Sequence, residues 1–272
     1  MKSKFSTVTV KPNLAALTTA FTATDLLFDW TPIEVPRGGC SLETVQMHYA
    51  GTNGVAQTPK DIELLFAKSV NGVAPPSLGT SNKKLSDGDT LTAKIAQAAR
   101  PHIIAYKFLD VSAMVDTGVD LVAYNVLGSF SGKPNVKMNI TLEGSQTDYL
   151  STQGPGYQTV WMAGISNEGG EDFGTGVTLN ETNANALAAF DASDDTKSTA
   201  TLVVDGTDVR NVFAIGDEVI MQDGAIVGVI QSMTHDGTDG TIVLEAKHTA
   251  AIANNDEICN RQPITFIFGV EY

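Results

Sequence analysis

Apolar and polar residues alternate in short runs along most of the chain. In one run Val136, Met138, Ile140 and Leu142 take every second position, with polar residues between them. Successive side chains of a strand point to opposite faces, so this spacing predicts a strand with one buried face. This run belongs to a predicted strand at Asn135–Gly144. Further alternating or extended apolar runs predict strands at Ser6–Val10, Asp25–Pro36, Ser41–Tyr49, Asp61–Val70, His102–Val111, Asp120–Phe130 and Tyr157–Ser166.

The number of short strands predicts an all-β fold. Gly, Pro, Asn and Asp residues separate the strands at short intervals, which is typical of sandwiches and barrels. Strands do not alternate with helices, and this argues against a doubly wound α/β enzyme. Only Thr90–Arg100 and Glu181–Ser193 have the composition of short helices. We therefore expect a jelly-roll-like β-sandwich over residues 1–166.

The composition changes after the predicted sandwich. Residues 167–195 are rich in turn-forming and charged residues and have little to bury, so we interpret them as a linker that contains the second short helix. Residues 196–262 hold about five short strands, enough for a small β-barrel. The final stretch, residues 263–272, is strongly apolar. One interpretation returns it to the sandwich and makes the barrel an insertion.

A hairpin in the predicted barrel is centred on Asp223 and Gly224. This dipeptide favours a type I′ turn, in which both central residues have positive φ. The alternation on either side predicts four inward-facing side chains and three acids at the barrel rim. The inward set is Val219, Met221, Val227 and Val229, and the rim set is Asp217, Glu218 and Asp223.

The charge of the chain limits its partners. The formal net charge is −14, and the Lys and Arg residues form no stripe or tail. Binding to a phosphate backbone needs clustered basic residues, so nucleic acid and anionic membrane surfaces are disfavoured. No apolar run approaches the ~18 residues of a membrane-spanning helix. The polar stretch Ser6–Asn13 precedes the mildly apolar Leu14–Phe21, which argues against a secretory signal peptide.

No pattern in the sequence indicates a reactive site. Phosphate-binding loops and nucleophile elbows are missing, and the four histidines stand in no metal-binding spacing. The histidines are His48, His102, His235 and His248. Cys40 and Cys259 fit no disulfide framework, so we expect free buried thiols and synthesis in a reducing compartment. We predict no catalytic, cofactor-binding or metal-ligating residues and no cofactor.

Three acidic clusters are the best candidates for a bound cation. Ser86–Thr90, Asp191–Asp195 and His235–Gly240 could offer oxygen ligands to Ca²⁺. None of them has the closing glutamate of an EF-hand loop. Asp and Gly are also the residues that tight turns use, and we favour the turn interpretation.

A carbohydrate-binding or carbohydrate-active β-protein is a further alternative. Two carboxylates that act on a glycosidic bond can come from distant positions, so the sequence leaves this function open. Trp30 and Trp161 are the only tryptophans, and neither lies in a conspicuous aromatic cluster. We expect both tryptophans to fill the core.

Three stretches of the chain carry a resemblance to a known class of proteins. They are Leu26–Gly51, Asp61–Thr80 and Thr199–Phe266, the last with an Ile-Gly-Asp-Glu-Val run, an Asp-Gly turn and a Val-Gly-Val run. In these stretches the chain resembles virion structural proteins of tailed bacteriophages, some of which decorate or cement the head. The resemblance transfers no functional residue.

The resemblance implies a non-enzymatic capsid decoration or cement protein on the outer surface of a phage head. Its partner would be the major capsid protein, it would be a homo-oligomer (a trimer by analogy), and it would join the virion in the host cytoplasm. A tail, fibre or baseplate component is the alternative within the same particle. The N-terminal residues 1–13 are either an arm that adds a strand to a neighbour or an internal edge strand.

Overall fold

The computed structural model describes residues 4–14, 21–50, 60–79, 97–110, 114–116, 121–127, 140–142, 156–167, 169–170, 173, 176–180, 200–248, 250–253 and 255–272. These residues form sixteen β-strands and no α-helix. Every strand pair among them is antiparallel. The predicted all-β fold is therefore confirmed.

Most strands lie close to the predicted positions, but those at Met114–Asp116 and Val177–Thr178 are not predicted by the sequence pattern. In chain order they are β1 (Phe5–Val10), β2 (Leu26–Pro36), β3 (Cys40–Ala50), β4 (Ile62–Ala67), β5 (Ile103–Leu109), β6 (Met114–Asp116), β7 (Leu121–Leu127), β8 (Ile140–Leu142), β9 (Tyr157–Ser166), β10 (Val177–Thr178), β11 (Thr201–Val204), β12 (Glu218–Met221), β13 (Ile226–His235), β14 (Gly240–Leu244), β15 (Glu257–Asn260) and β16 (Ile264–Glu271).

The first sheet joins the two ends of the described chain. Its strand order is β1-β16-β3-β7-β6, and β8 pairs with β3 beside β7. β16 lies between β1 and β3, so that Phe268 is opposite Val8 on one side and Val45 on the other. Buried and half-buried residues alternate along β16, which is the pattern of a sheet with one face on the core. The final stretch thus pairs with strands of the predicted sandwich.

The second sheet has the order β2-β9-β4-β5. Its strand β9 is buried on both faces, because Val160 and Met162 belong to the main core while Ala163 and Ile165 belong to a smaller cluster on the far side. At Gly164 a Cβ atom would overlap the ring of Phe28, so this position accepts only glycine without movement of the ring.

The first two sheets pack face to face on one core. Phe28 of the second sheet lies 5.7 Å from Phe266 of the first, and Phe66 lies 6.0 Å from Phe268, measured between ring centroids. Phe266 and Phe268 are themselves stacked at 5.9 Å. Aromatic pairs at such distances contribute beyond their buried area. The result is the all-β sandwich that the sequence predicts.

The third sheet has the order β10-β15-β12-β13-β14-β11. Leu179, which follows β10, forms an isolated bridge with Val204 of β11, flanked by hydrogen bonds from Asn180 to Val203 and from Asp205 to Thr178 (both 2.9 Å). The end strands form no continuous ladder, so the predicted closed barrel is not shown. The buried residues Ile220 and Cys259 of this sheet belong to the core cluster of the sandwich, while Val219 belongs to a separate cluster. The third sheet therefore packs against the sandwich.

The hairpin at Asp223 and Gly224 differs from the predicted type I′ turn. Gly224 has a φ of 89°, but Asp223 is not among the residues with positive φ. The Gly224 N–H donates to the Met221 carbonyl (2.9 Å), and the Met221 N–H donates to the Ala225 carbonyl (2.8 Å). These bonds define a three-residue loop whose last residue is glycine, which is another common hairpin connection.

Not all of the predicted inward side chains of this hairpin are buried. Val219 and Val227 are buried and Met221 packs against the same cluster, but Val229 is only half-buried. The pairing shifts by one residue near Val219 and Ile220, so that Val219 lies opposite Gly228. Such a bulge changes the phase of the alternation, and Ile230 is buried in place of Val229.

The predicted linker contributes to the folded structure. Val177 and Thr178 pair with β15, and the ring of Phe173 packs against Phe21 at 6.0 Å. The predicted helix Glu181–Ser193 lies outside the described residues. The predicted helix Thr90–Arg100 is described from residue 97, where a turn leads into a 3₁₀ turn at Arg100–His102. No helix among the described residues is long and apolar enough to cross a membrane.

Candidate functional site

The four histidines occupy four separate places. His48 is half-buried opposite Thr265, and His235 lies at the end of β13. The Nδ1 atom of His102 donates to the Lys68 carbonyl (3.0 Å), and that of His248 to the Ala250 carbonyl (3.1 Å). Among the described residues, no three His, Cys, Asp or Glu side chains are placed to hold a metal ion.

The acidic cluster His235–Gly240 forms a turn. The Asp236 carboxylate accepts hydrogen bonds from the N–H groups of Thr238 and Asp239, both at 2.8 Å, and these bonds lower its pKa. The Asp239 carboxylate accepts from the Asn180 side chain (3.2 Å) and the Gly206 N–H (3.3 Å). The bonds of Asp236 are typical of an Asx turn, whereas those of Asp239 connect the turn to distant residues. Ser86–Thr90 and Asp191–Asp195 lie outside the described residues.

Three groups with a pKa shifted to a definite value, Tyr106, Asp208 and Cys40, lie on different strands or turns. Burial and, secondarily, Glu63 raise the pKa of Tyr106 to about 12. The hydrogen bond from Arg210 lowers the pKa of Asp208 to about 2. Burial raises the pKa of Cys40 to about 11. Each shift has a local cause, and these groups do not form a shared reactive centre.

The two tryptophans are half-buried on the second sheet. The indole N–H of Trp30 donates to the Pro76 carbonyl (2.9 Å), and its ring packs against the smaller cluster. The indole N–H of Trp161 donates to the Ser69 hydroxyl (3.3 Å). Hydrogen bonds thus hold both rings in place. The sequence predicts that both tryptophans fill the core, but each is only half-buried.

Neither Cys40 nor Cys259 is in a disulfide, and both are buried, as predicted. Both belong to the core cluster of the sandwich. A thiol attacks as the thiolate, which burial disfavours.

We expect the folded protein to react slowly with a disulfide reagent at about pH 8, because the pKa of Cys40 is raised to about 11. Unfolding should release two reactive thiols. A raised folded pKa favours the neutral thiol, so its contribution to stability is full below about pH 9 and is lost as the pH rises towards 11. Denaturant titrations of the wild type and Cys40→Ser across this range test the difference. Rapid labelling of the folded protein would contradict the prediction.

An open groove of about 480 Å³ runs between β1 and β2, which are edge strands of the two sandwich sheets. We call it the edge groove. It is lined by Ser6, Thr7, Val8, Thr9, Val10 and Lys11 on one side, and by Thr31, Pro32, Ile33, Glu34, Pro36 and Tyr157 on the other. Glu34 is the one acid of this lining, and it accepts a hydrogen bond from Thr159 of the neighbouring strand (3.0 Å).

The N-terminal segment pairs within its own chain. β1 is bonded to β16 from Phe5–Glu271 to Val10–Phe266, and within the described residues it has no other strand partner. The sequence leaves open whether this segment is an arm that pairs with a neighbouring protein or an internal edge strand. In the structure it is an internal edge strand. In the part of the chain that the structure describes, the outer edge of β1 is therefore open beside the edge groove.

A buried aspartate connects the segment after β1 to the third sheet. Asp217 is only 2 % exposed, whereas the sequence places it at a barrel rim. Its carboxylate accepts hydrogen bonds from the Lys11 ammonium (2.5 Å), the Ala214 N–H (2.8 Å) and the Asn260 side chain (2.8 Å). These bonds satisfy a charge that would otherwise be costly to bury. A pocket of about 210 Å³ adjoins this group.

Further bonds fix the same junction. The Leu14 N–H donates to the Arg261 carbonyl (2.8 Å), and the Gln262 side chain donates to Asn13 (2.8 Å). Arg261 pairs with Glu218. No sequence motif marks this network, because its members come from distant parts of the chain.

Comparisons with known proteins identify no family. No protein-family model matches this chain, and no curated protein does. Among solved structures, the chain is similar to a crystal structure of dimeric latent PorU from Porphyromonas gingivalis, with 10% identity over 99% of this chain and a TM-score of 0.13. The chain spans 20% of the length of that protein. A likeness of this degree carries no argument about fold or function.

Proposed function

We propose that this chain is a non-enzymatic structural protein of a virion, which decorates the outer surface of a tailed-phage head by binding the major capsid protein. It acts in the virion as a homo-oligomer, with a trimer as the working hypothesis, after assembly in the host cytoplasm. The observation that carries the proposal is the edge groove beside β1, a strand with no partner on its outer side among the described residues, because extended sheet edges bind proteins through main-chain hydrogen bonds.

Two further features support this proposal. The net charge of −14 favours solubility of a protein present at high local concentration. Three aspartates of the described residues have structural roles: Asp236 in a turn, Asp208 in an ion pair and Asp217 in a buried contact. Such an arrangement suits a protein whose function depends on its surface.

The proposal can be tested with phage heads that lack this protein. We expect the purified protein to bind intact heads saturably and to reach a copy number comparable to that of the major capsid protein. Mass spectrometry of sedimented particles measures that ratio. A small fixed copy number on tails would favour the tail, fibre or baseplate alternative. A specific hit on a glycan array without binding to heads would replace the proposal by carbohydrate recognition.

A further inference from the structure

We propose that the outer edge of β1 binds an extended strand of a partner protein, and that this strand carries a carboxylate side chain close to Lys4. The inference deepens the proposed function and rests on it, since the strand would belong to the capsid protein. It concerns one side of one strand, and it can be tested without a phage particle.

The edge of β1 is suited to pair with another strand. An edge strand presents unpaired N–H and C=O groups along its open side, and these groups form a template for a further strand. Phe5–Val10 contains no proline, no glycine and no charged residue. Phe5, Thr7 and Thr9 are exposed on the face of the sheet that points away from the core.

The opposite wall of the edge groove fixes how such a strand would lie. Pro32 and Pro36 of β2 lack an N–H group, and proline is the residue that natural sheets use to block edge pairing. An incoming strand would therefore form its main-chain hydrogen bonds with β1. The side chains on its inner face would pack against Ile33 and the two prolines, which favours small apolar residues at alternate positions.

The charge of the N-terminal segment complements an acidic strand. Residues 1–24 contain Lys2, Lys4 and Lys11 and no acid. Without these three of its 17 basic residues the chain keeps 14, against 31 acids, so the remainder has a charge of −17. Lys11 is already paired with Asp217, and Lys4 is exposed at the start of β1. Lys4 is thus the cation at which a partner carboxylate fits best.

The same charges disfavour a second copy of this chain as the occupant. If two β1 strands paired antiparallel over their full length, Thr7 would lie opposite Val8 and Lys4 opposite Lys11. Like charges directly opposite each other destabilise a strand pair.

Synthetic peptides test the proposal with the full-length protein. The probe is a seven-residue peptide of alternating threonine and valine with a glutamate at each end, and the control has a lysine at each end. We expect the first peptide to slow amide hydrogen exchange of Ser6–Val10. We expect the second to bind about fivefold more weakly at low salt, since cross-strand charge pairs have modest energies. The Lys4→Glu variant should reverse this preference.

Each other outcome overturns the proposal. Absence of protection by any peptide excludes a strand site at β1. Equal binding of both peptides, or no effect of Lys4→Glu, removes the role of Lys4. Protection that grows with protein concentration alone, with dimers in sedimentation, makes the edge a contact between copies. If phage heads bind the protein but the peptides do not, the strand proposal fails and the proposed function stands. If the peptides bind but phage heads do not, β1 is a strand-binding site and the proposed function fails.

Discussion

Replacing Phe266 with alanine is expected to lower the free energy of unfolding by about 3–5 kcal/mol. Phe266 is fully buried in β16 and contacts both Phe28 of the opposite sheet and Phe268 of its own strand. The substitution would remove apolar contacts from both sheets and leave a cavity between them. Equilibrium denaturation followed by tryptophan fluorescence measures the effect, because Trp30 and Trp161 both lie on the second sheet of the sandwich.

The matched control is Ile267→Ala on the neighbouring position of β16. Ile267 is half-buried on the outer face of the first sheet, so its truncation should cost less than about 1.5 kcal/mol. A similar loss for both variants would mean that the two sheets do not meet at Phe266.

Replacing Asp217 with alanine is expected to destabilise the protein by about 2–4 kcal/mol. The variant would leave the Ala214 N–H and one N–H of Asn260 without their acceptor and remove the ion pair of Lys11. Buried donors without a partner lose hydration without compensation. Far-ultraviolet circular dichroism measures the change, since it follows all three sheets.

A double-mutant cycle with Lys11→Met would isolate the contribution of the ion pair. Lys11 keeps about a third of its side chain exposed, at 34%, so solvent screens the pair, and a coupling of about 1 kcal/mol is expected. The exposed Asp205→Ala serves as the control, with an effect within about 0.5 kcal/mol. If Asp217→Ala were as mild as this control, the buried network would not stabilise the junction.

The strands could be predicted because their signal is local. The apolar run at Tyr157–Ser166 agrees with the bounds of β9, and the alternation at Ser6–Val10 agrees within one residue with those of β1. The same signal predicts buried positions, as at Val219 and Val227. Sheet order depends on contacts between distant segments, and the sequence contains no local signal for it.

The details of the third sheet could not be predicted from the same pattern. The Asp223–Gly224 dipeptide indicates a hairpin, but the pairing of Met221 with Ala225 lengthens the loop and changes the turn type. The register shift beside it buries Ile230 and leaves Val229 half-buried. The approach of the two ends of this sheet at the Leu179–Val204 bridge is likewise a contact between distant residues, which no periodicity specifies.

The hydrogen-bond network of Asp217 could not be predicted from the sequence for a related reason. Asp217 follows a glycine and has the sequence context of an exposed turn. Its burial depends on Lys11 and Asn260, which lie far away along the chain and become neighbours only when the sandwich and the third sheet pack together. Likewise, the open edge of β1 follows from the position of β16 in the first sheet.

The position of β16 has a consequence for how the protein is made. β1 and β3 leave the ribosome early, whereas β16, which pairs with both, is translated only after all strands of the third sheet. Until β16 is translated, β1 and β3 lack the strand that lies between them, and the nascent polypeptide exposes their apolar residues. Folding with such distant pairings is slow and prone to aggregation, so this protein should depend on cellular chaperones during its synthesis.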